Sequence, residues 1–150
     1  MTFIPAEAEF EQMVRDKIKA NDFTNFVGFS ADLIQPGLVE GRIVLEQHHL
    51  QQMGFVHGGV SATLADIVMG YAAFTLVKKG NGVVTVDLKT SYLHPAKGDT
   101  LYAKGYVIKA GQKLSFCEAE IWVQPANGEK LLTAKSTSVM AVVTPEDMRR

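Results

Sequence analysis

The stretch that decides the fold reads His57-Gly58-Gly59-Val60-Ser61-Ala62-Thr63-Leu64-Ala65-Asp66-Ile67-Val68-Met69-Gly70-Tyr71-Ala72-Ala73-Phe74-Thr75-Leu76-Val77. From Gly58 onward it is apolar on every side and carries one charged group, Asp66. Its length approaches a membrane span, but Gly, Ala, Ser and Thr are frequent and a carboxylate sits within it, so it reads instead as a buried helix reaching to Lys78. A helix with no polar face must be covered all round. A curved antiparallel sheet wrapped about it, with a second copy of the chain sealing what remains, meets that demand.

Upstream, Gln35-Pro36-Gly37 is a turn signal between strand-like runs at 28–34 and 38–45, which predicts a hairpin. Before it, residues 5–20 open on Pro5 and mix charges with Phe10, Met13, Val14 and Ile18, which predicts a first helix within an N-terminal helical segment, 1–24. Downstream, Asn81-Gly82 should stop the central helix. Val84, Val86, Leu88 and Tyr92 then alternate with Thr85, Asp87, Lys89 and Ser91, the period-two pattern of a half-buried strand. Its edge is the natural pairing place for a second copy. Runs at 100–109, 114–124 and 131–143, divided by turns at Ala110-Gly111 and 125–128, predict an antiparallel meander followed by a tail, 144–150. Helix, two strands, apolar helix and four strands, with no repeat and no linker, make an α+β chain of one domain, 1–150.

Composition narrows the function. With 150 residues, 47% hydrophobic and 21% charged, the chain can bury a single real core and is neither disordered nor fibrous. A net charge of −1 gives no general attraction for phosphate backbones, which excludes nucleic acid as a partner. The lone Cys117 cannot form an internal disulfide, and Glu7, Glu9, Glu11, Arg15, Asp16 and Lys17 stand where a secretion signal would be apolar, so the expected address is the cytoplasm.

Gly58 and Gly59 place bare backbone N–H groups at the positive end of a helix, where a carbonyl oxygen can approach closely. Two glycines equally suit a tight turn into a helix, and His57 before them suits a cap as well as a catalyst. Asp66 would be costly to bury without a purpose, and Ala62, Thr63, Met69, Gly70 and Ala73 share its stripe, leaving room beside the carboxylate. The plain alternative is an aspartate satisfied by backbone donors or by another chain. Eight positions of helix separate Gly58 from Asp66 by about 12 Å, so one chain cannot aim both at one carbonyl. A two-fold dimer with antiparallel central helices would set Gly58 of each subunit opposite Asp66 of the other.

The run Gly54, His57-Gly58-Gly59 and Leu64-Ala65-Asp66 resembles the hotdog-fold thioesterases of the phenylacetate-degradation type. The resemblance continues through Val84-Thr85-Val86-Asp87-Leu88, Tyr92, Pro95-Ala96, Gly98 and the closing strands near Gly111 and Lys135, covering most of residues 25–143. It implies a long central helix wrapped by five or six antiparallel strands, homodimers that commonly pair into tetramers, and hydrolysis of acyl-CoA with no metal and no cofactor beyond the coenzyme A of the substrate. Carried onto this chain, it makes the Gly58 amide the group that polarises the thioester carbonyl and Asp66 the nucleophile or the base for water. It gives His57 to the helix opening and Thr85 to the attacking water. Gln51 falls where one branch has glutamine and many phenylacetate-type members have asparagine, to hold water or carbonyl. Gly59, Thr63, Met53, Met69 and Gly70 are the expected substrate-binding positions.

Other groups read more plainly. His48, His49 and His57 match no zinc spacing and are expected at the surface. Cys117 reads as an inert buried thiol, and Ser61 and Ser115 lack a nucleophile elbow. Lys89, Lys97 and Lys104 are either contacts for coenzyme A phosphates or solvated charge. Two rival functions share the fold: a non-catalytic acyl-CoA-binding domain, and a dehydratase, for which no hydratase-like motif is visible.

Overall fold

A computed structural model describes residues 2–149. Helices α1 (Phe10–Ala20), α2 (Asp22–Phe26) and α3 (Gly58–Phe74) accompany strands β1 (Phe29–Gln35), β2 (Leu38–Val44), β3 (Gly82–Tyr92), β4 (Thr100–Ala110), β5 (Leu114–Gln124) and β6 (Leu131–Val143). The strands form one six-stranded sheet in the order β1-β2-β4-β5-β6-β3, with every neighbouring pair antiparallel. The expected hairpin is β1–β2, turned by Pro36-Gly37 with Gly37 at φ 75°, a left-handed value that glycine accepts without strain. The expected meander is β4–β5–β6. The connection through α3 carries the chain from β2 to the far edge, so β3 is an edge strand beside β6.

Helix α3 lies across one face of the sheet and packs on β2, β3, β4, β5 and β6. Leu64, Val68, Met69 and Ala72 of the helix are fully enclosed, as are Val39 and Ile43 on β2, Leu101 on β4 and Ile121 on β5. Each such aliphatic side chain contributes about 1.5–3 kcal/mol on leaving water. The helix and β4 meet at the backbone itself. A Cβ on Gly105 would stand 2.5 Å from the Val68 carbonyl carbon and 2.7 Å from the Met69 nitrogen, so a side chain there has no room.

Three expectations about the helices and strands need correction. Helix α1 begins at Phe10 instead of near Pro5, with no side-chain cap at Glu9; the chain then breaks at Asn21, whose side chain accepts the Thr24 N–H at 2.9 Å and starts α2. Helix α3 stops at Phe74, short of Lys78. The Thr75 hydroxyl donates to the Ala72 carbonyl at 2.6 Å and accepts the Gly37 N–H at 2.7 Å, tying the helix end to the β1–β2 turn. The third concerns β3, whose pairing with β6 shifts between Thr85 and Asp87. This bulge at Val86 breaks the simple alternation. Val84 and Val86, on the apolar side of that alternation, are 49% and 61% exposed, while Thr85 reaches the helix.

His49 is also buried, contrary to its reading as a surface residue. Its Nδ1 accepts the Glu46 N–H at 2.9 Å, which leaves the proton on Nε2 to donate to the Val27 carbonyl at 3.0 Å; both polar ends are satisfied. Burial pushes the Cys117 thiol up to about 12. The thiolate is therefore scarce at neutral pH, and a thiol reagent is expected to label the native protein far more slowly than the unfolded chain, as mass spectrometry along a urea series would read.

Candidate active site

The helix opening is built by His57. Its extended backbone places the ring over the first turn, where Nδ1 accepts the Gly59 N–H at 2.9 Å, and its carbonyl accepts the Val60 N–H at 2.9 Å. Two of the first three amides of α3 are thereby occupied. Among the described residues nothing in the chain accepts from the Gly58 N–H, which stays available to an incoming oxygen at the positive end of the helix. Gly58 also lies under Tyr92, whose hydroxyl donates to the Gly58 carbonyl at 2.6 Å.

This end of the helix opens into a cleft of about 460 Å³ lined by Gly58, Gln51, Met53, Phe55, Tyr92 and His94. The Gln51 side-chain oxygen accepts the Met53 N–H, so that oxygen is held within its own loop and the side-chain NH₂ is the free end. Met53 stands 70% exposed at the rim.

Two turns along α3, Asp66 is half-buried and its Oδ1 accepts the Thr85 hydroxyl at 2.7 Å. It faces a second cleft of about 380 Å³, lined with it by Thr85, Gly70, Tyr71, Phe23 and Lys17. The walls of this cleft thus come partly from α1 and α2. Burial raises the Tyr71 phenol above its ordinary value, partly offset by hydrogen bonds from Thr24 and Asn21.

The two clefts share no lining residue, so within one chain the free amide and the carboxylate serve separate spaces. Of the expected substrate-binding positions, Met53 and Gly70 line a cleft. Gly59 is exposed with its N–H taken by His57, and Thr63 is half-buried and lines neither space. Met69 has no exposed surface, belongs to the core cluster and lines neither cleft. In the sequence Tyr92 has a place in a strand and in the run of resemblance, Lys17 a place among the N-terminal charges and Phe23 a place in the helical segment, but none of them a role in the site. No local signal marks them, since each meets the site through tertiary packing. Among the described residues no group of three His, Cys, Asp or Glu side chains could hold a metal, and no helix is long and apolar enough to cross a membrane.

Residues 53–128 match the family described as the thioesterase superfamily. Human acyl-coenzyme A thioesterase 13 is 27% identical over 128 residues, covering 84% of this chain and 90% of its own. A thioesterase family protein from Silicibacter pomeroyi has a solved structure that superposes with a TM-score of 0.87 at 30% identity, covering 90% of this chain and 98% of that one. The PaaI protein of the Escherichia coli phenylacetic acid degradation operon, at 18% identity and a TM-score of 0.80, covers 90% of this chain and 94% of its own and shares the fold. The central helix and six-stranded sheet are those of the hotdog fold.

Proposed function

Because the chain belongs to the thioesterase superfamily, and is on that footing a thioester hydrolase, we propose that its substrate is an acyl-CoA, cleaved between Gly58 of one subunit and Asp66 of its partner. The observation that carries this reading is the separation of the two groups: a free helix-terminal N–H in one cleft and a Thr85-bound carboxylate in another. An antiparallel pair of α3 helices joins the unlike halves. The bare edge of β3, with Val84 and Val86 exposed, supports pairing there, and the homodimers would associate further into tetramers.

In such a site the Gly58 N–H holds the thioester oxygen and gains strength as negative charge develops on it. Thr85 occupies Oδ1 of Asp66, leaving Oδ2 to take a proton from water or to attack the carbonyl carbon itself. Either route breaks the C–S bond and releases coenzyme A as the thiol, and neither needs a metal or a further cofactor. Direct attack forms an acyl–Asp66 mixed anhydride that water then opens, regenerating the carboxylate; at single turnover in H₂¹⁸O, label found in Asp66 marks that route, with water entering at the aspartyl carbonyl.

Thr85→Val keeps the shape of the side chain and removes the donor to Oδ1. It is expected to lower kcat about tenfold, the scale of one hydrogen bond to a charged group, with Thr85→Ser recovering most of the loss. The function itself is tested by thiol release from a panel of short, long and aromatic acyl-CoAs. Intact thioester after prolonged incubation with every member would leave a binding domain in place of a hydrolase.

A further inference from the structure

Tyr92 ends the edge strand β3, yet its side chain turns back onto the start of α3. Its hydroxyl donates to the Gly58 carbonyl at 2.6 Å, and its ring carbons lie 3.3–3.4 Å from where a Cβ on Gly58 would stand. The peptide group bearing that carbonyl also bears the Gly59 N–H, which donates to His57 Nδ1 at 2.9 Å. A continuous relay therefore runs from the Tyr92 O–H to the Gly58 C=O, through the peptide to the Gly59 N–H, and on to the His57 ring. It ends on the residue whose own carbonyl carbon carries the Gly58 amide.

Such relays reinforce themselves: a bond accepted by a peptide oxygen draws density from its nitrogen and makes the N–H a stronger donor. This one also limits rotation at Gly58, the residue with the widest choice of backbone angles. With Nδ1 engaged as an acceptor, the neutral His57 ring carries its proton on Nε2.

We propose that Tyr92 is a positioning residue: through the Gly58–Gly59 peptide its hydroxyl fixes the His57 ring and the aim of the Gly58 N–H at the thioester oxygen. This rests on the thioesterase reading given above. A donor aimed in advance matters most where charge has developed, so the effect falls on turnover more than on substrate binding.

Tyr92→Phe keeps the ring and deletes the hydroxyl. Steady-state kinetics on the best acyl-CoA of the panel are compared with wild type, together with the ¹H–¹⁵N spectrum of the substrate-free protein, in which the Gly59 amide proton reports its bond to His57. The expected result is a kcat lowered about tenfold, less than the 10²–10³ that follows outright loss of an oxyanion donor, with KM within about twofold and the Gly59 amide proton moved upfield. An unchanged kcat, an unmoved Gly59 resonance, or a rise in KM alone would each overturn the proposal, the last by making Tyr92 a substrate contact. The spectrum is recorded below the thermal midpoint of each protein, so it decides even if the variant melts earlier. Asp66→Asn run in parallel separates the two levels: an inert Asp66→Asn beside a wild-type Tyr92→Phe removes only the role of Tyr92, whereas a fully active Asp66→Asn removes the catalytic reading beneath it.

Discussion

Asp66→Asn is expected to lower kcat/KM for acyl-CoA by about 10³-fold, within the range of a lost general base or nucleophile, while moving the thermal midpoint by no more than a few degrees. The amide is the same size and its oxygen can still accept from Thr85, so the packing of α3 against β3 is preserved. What disappears is the charge on the second oxygen, which neither takes a proton from water nor attacks a carbonyl once it is an amide nitrogen. Thiol release by wild type and variant at matched concentration makes the comparison. Turnover within about threefold of wild type would remove Asp66 from the chemistry, since general-base catalysis is worth at least tens of fold.

The same substitution tests whether each site is composite. Gly58→Val obstructs the helix opening, because any side chain there meets the Tyr92 ring. In a mixed dimer of one Asp66→Asn chain and one Gly58→Val chain, one site keeps both an intact amide and an intact carboxylate, and the other has neither. Two inactive homodimers should therefore yield a hybrid with about half of wild-type activity per dimer, as two-fold symmetry requires. A hybrid as inactive as its parents would place both groups in the same chain's site.

Gly105→Ala is expected to be among the most damaging single-methyl changes in the fold. The added carbon would stand 2.5 Å from the Val68 carbonyl carbon and 2.7 Å from the Met69 nitrogen, atoms of helix backbone that have no rotamer to change. The helix must move off β4, and overpacking of this kind costs about 3 kcal/mol. For a domain of this size that is a fall of about 6–12 °C in the thermal midpoint, a large share of a total stability of about 5–15 kcal/mol. Activity should fall with it, since Gly58 and Asp66 both ride on α3. Calorimetry on the variant decides, and an unchanged midpoint would mean that the sheet and helix are not in contact at Val68.

Reading along the chain located α3, its glycine opening and its single carboxylate, because a helix that is apolar all round and bears one acid stands out in a local window. It also found the β1–β2 turn at Pro36-Gly37 and the meander β4–β5–β6, where turn residues and period-two runs are local signals. The ends of elements were less legible. Asn21 splitting α1 from α2 and Thr75 closing α3 act through side-chain bonds to backbone, and the second needs Gly37, far away in sequence.

What residue order determined by itself was the inventory: an α+β chain with one enclosed helix, an exposed amide at its start and an acid two turns on. Only the tertiary structure decided which side chains serve them. The bulge at Val86 swings Thr85 onto Asp66, the far edge position of β3 brings Tyr92 to Gly58, and α1 and α2 wall the acid's cleft. Periodicity reports the environment of a residue along its own strand or helix. Partnerships such as Thr85 with Asp66 are made by strand pairing and packing between segments that no local window contains.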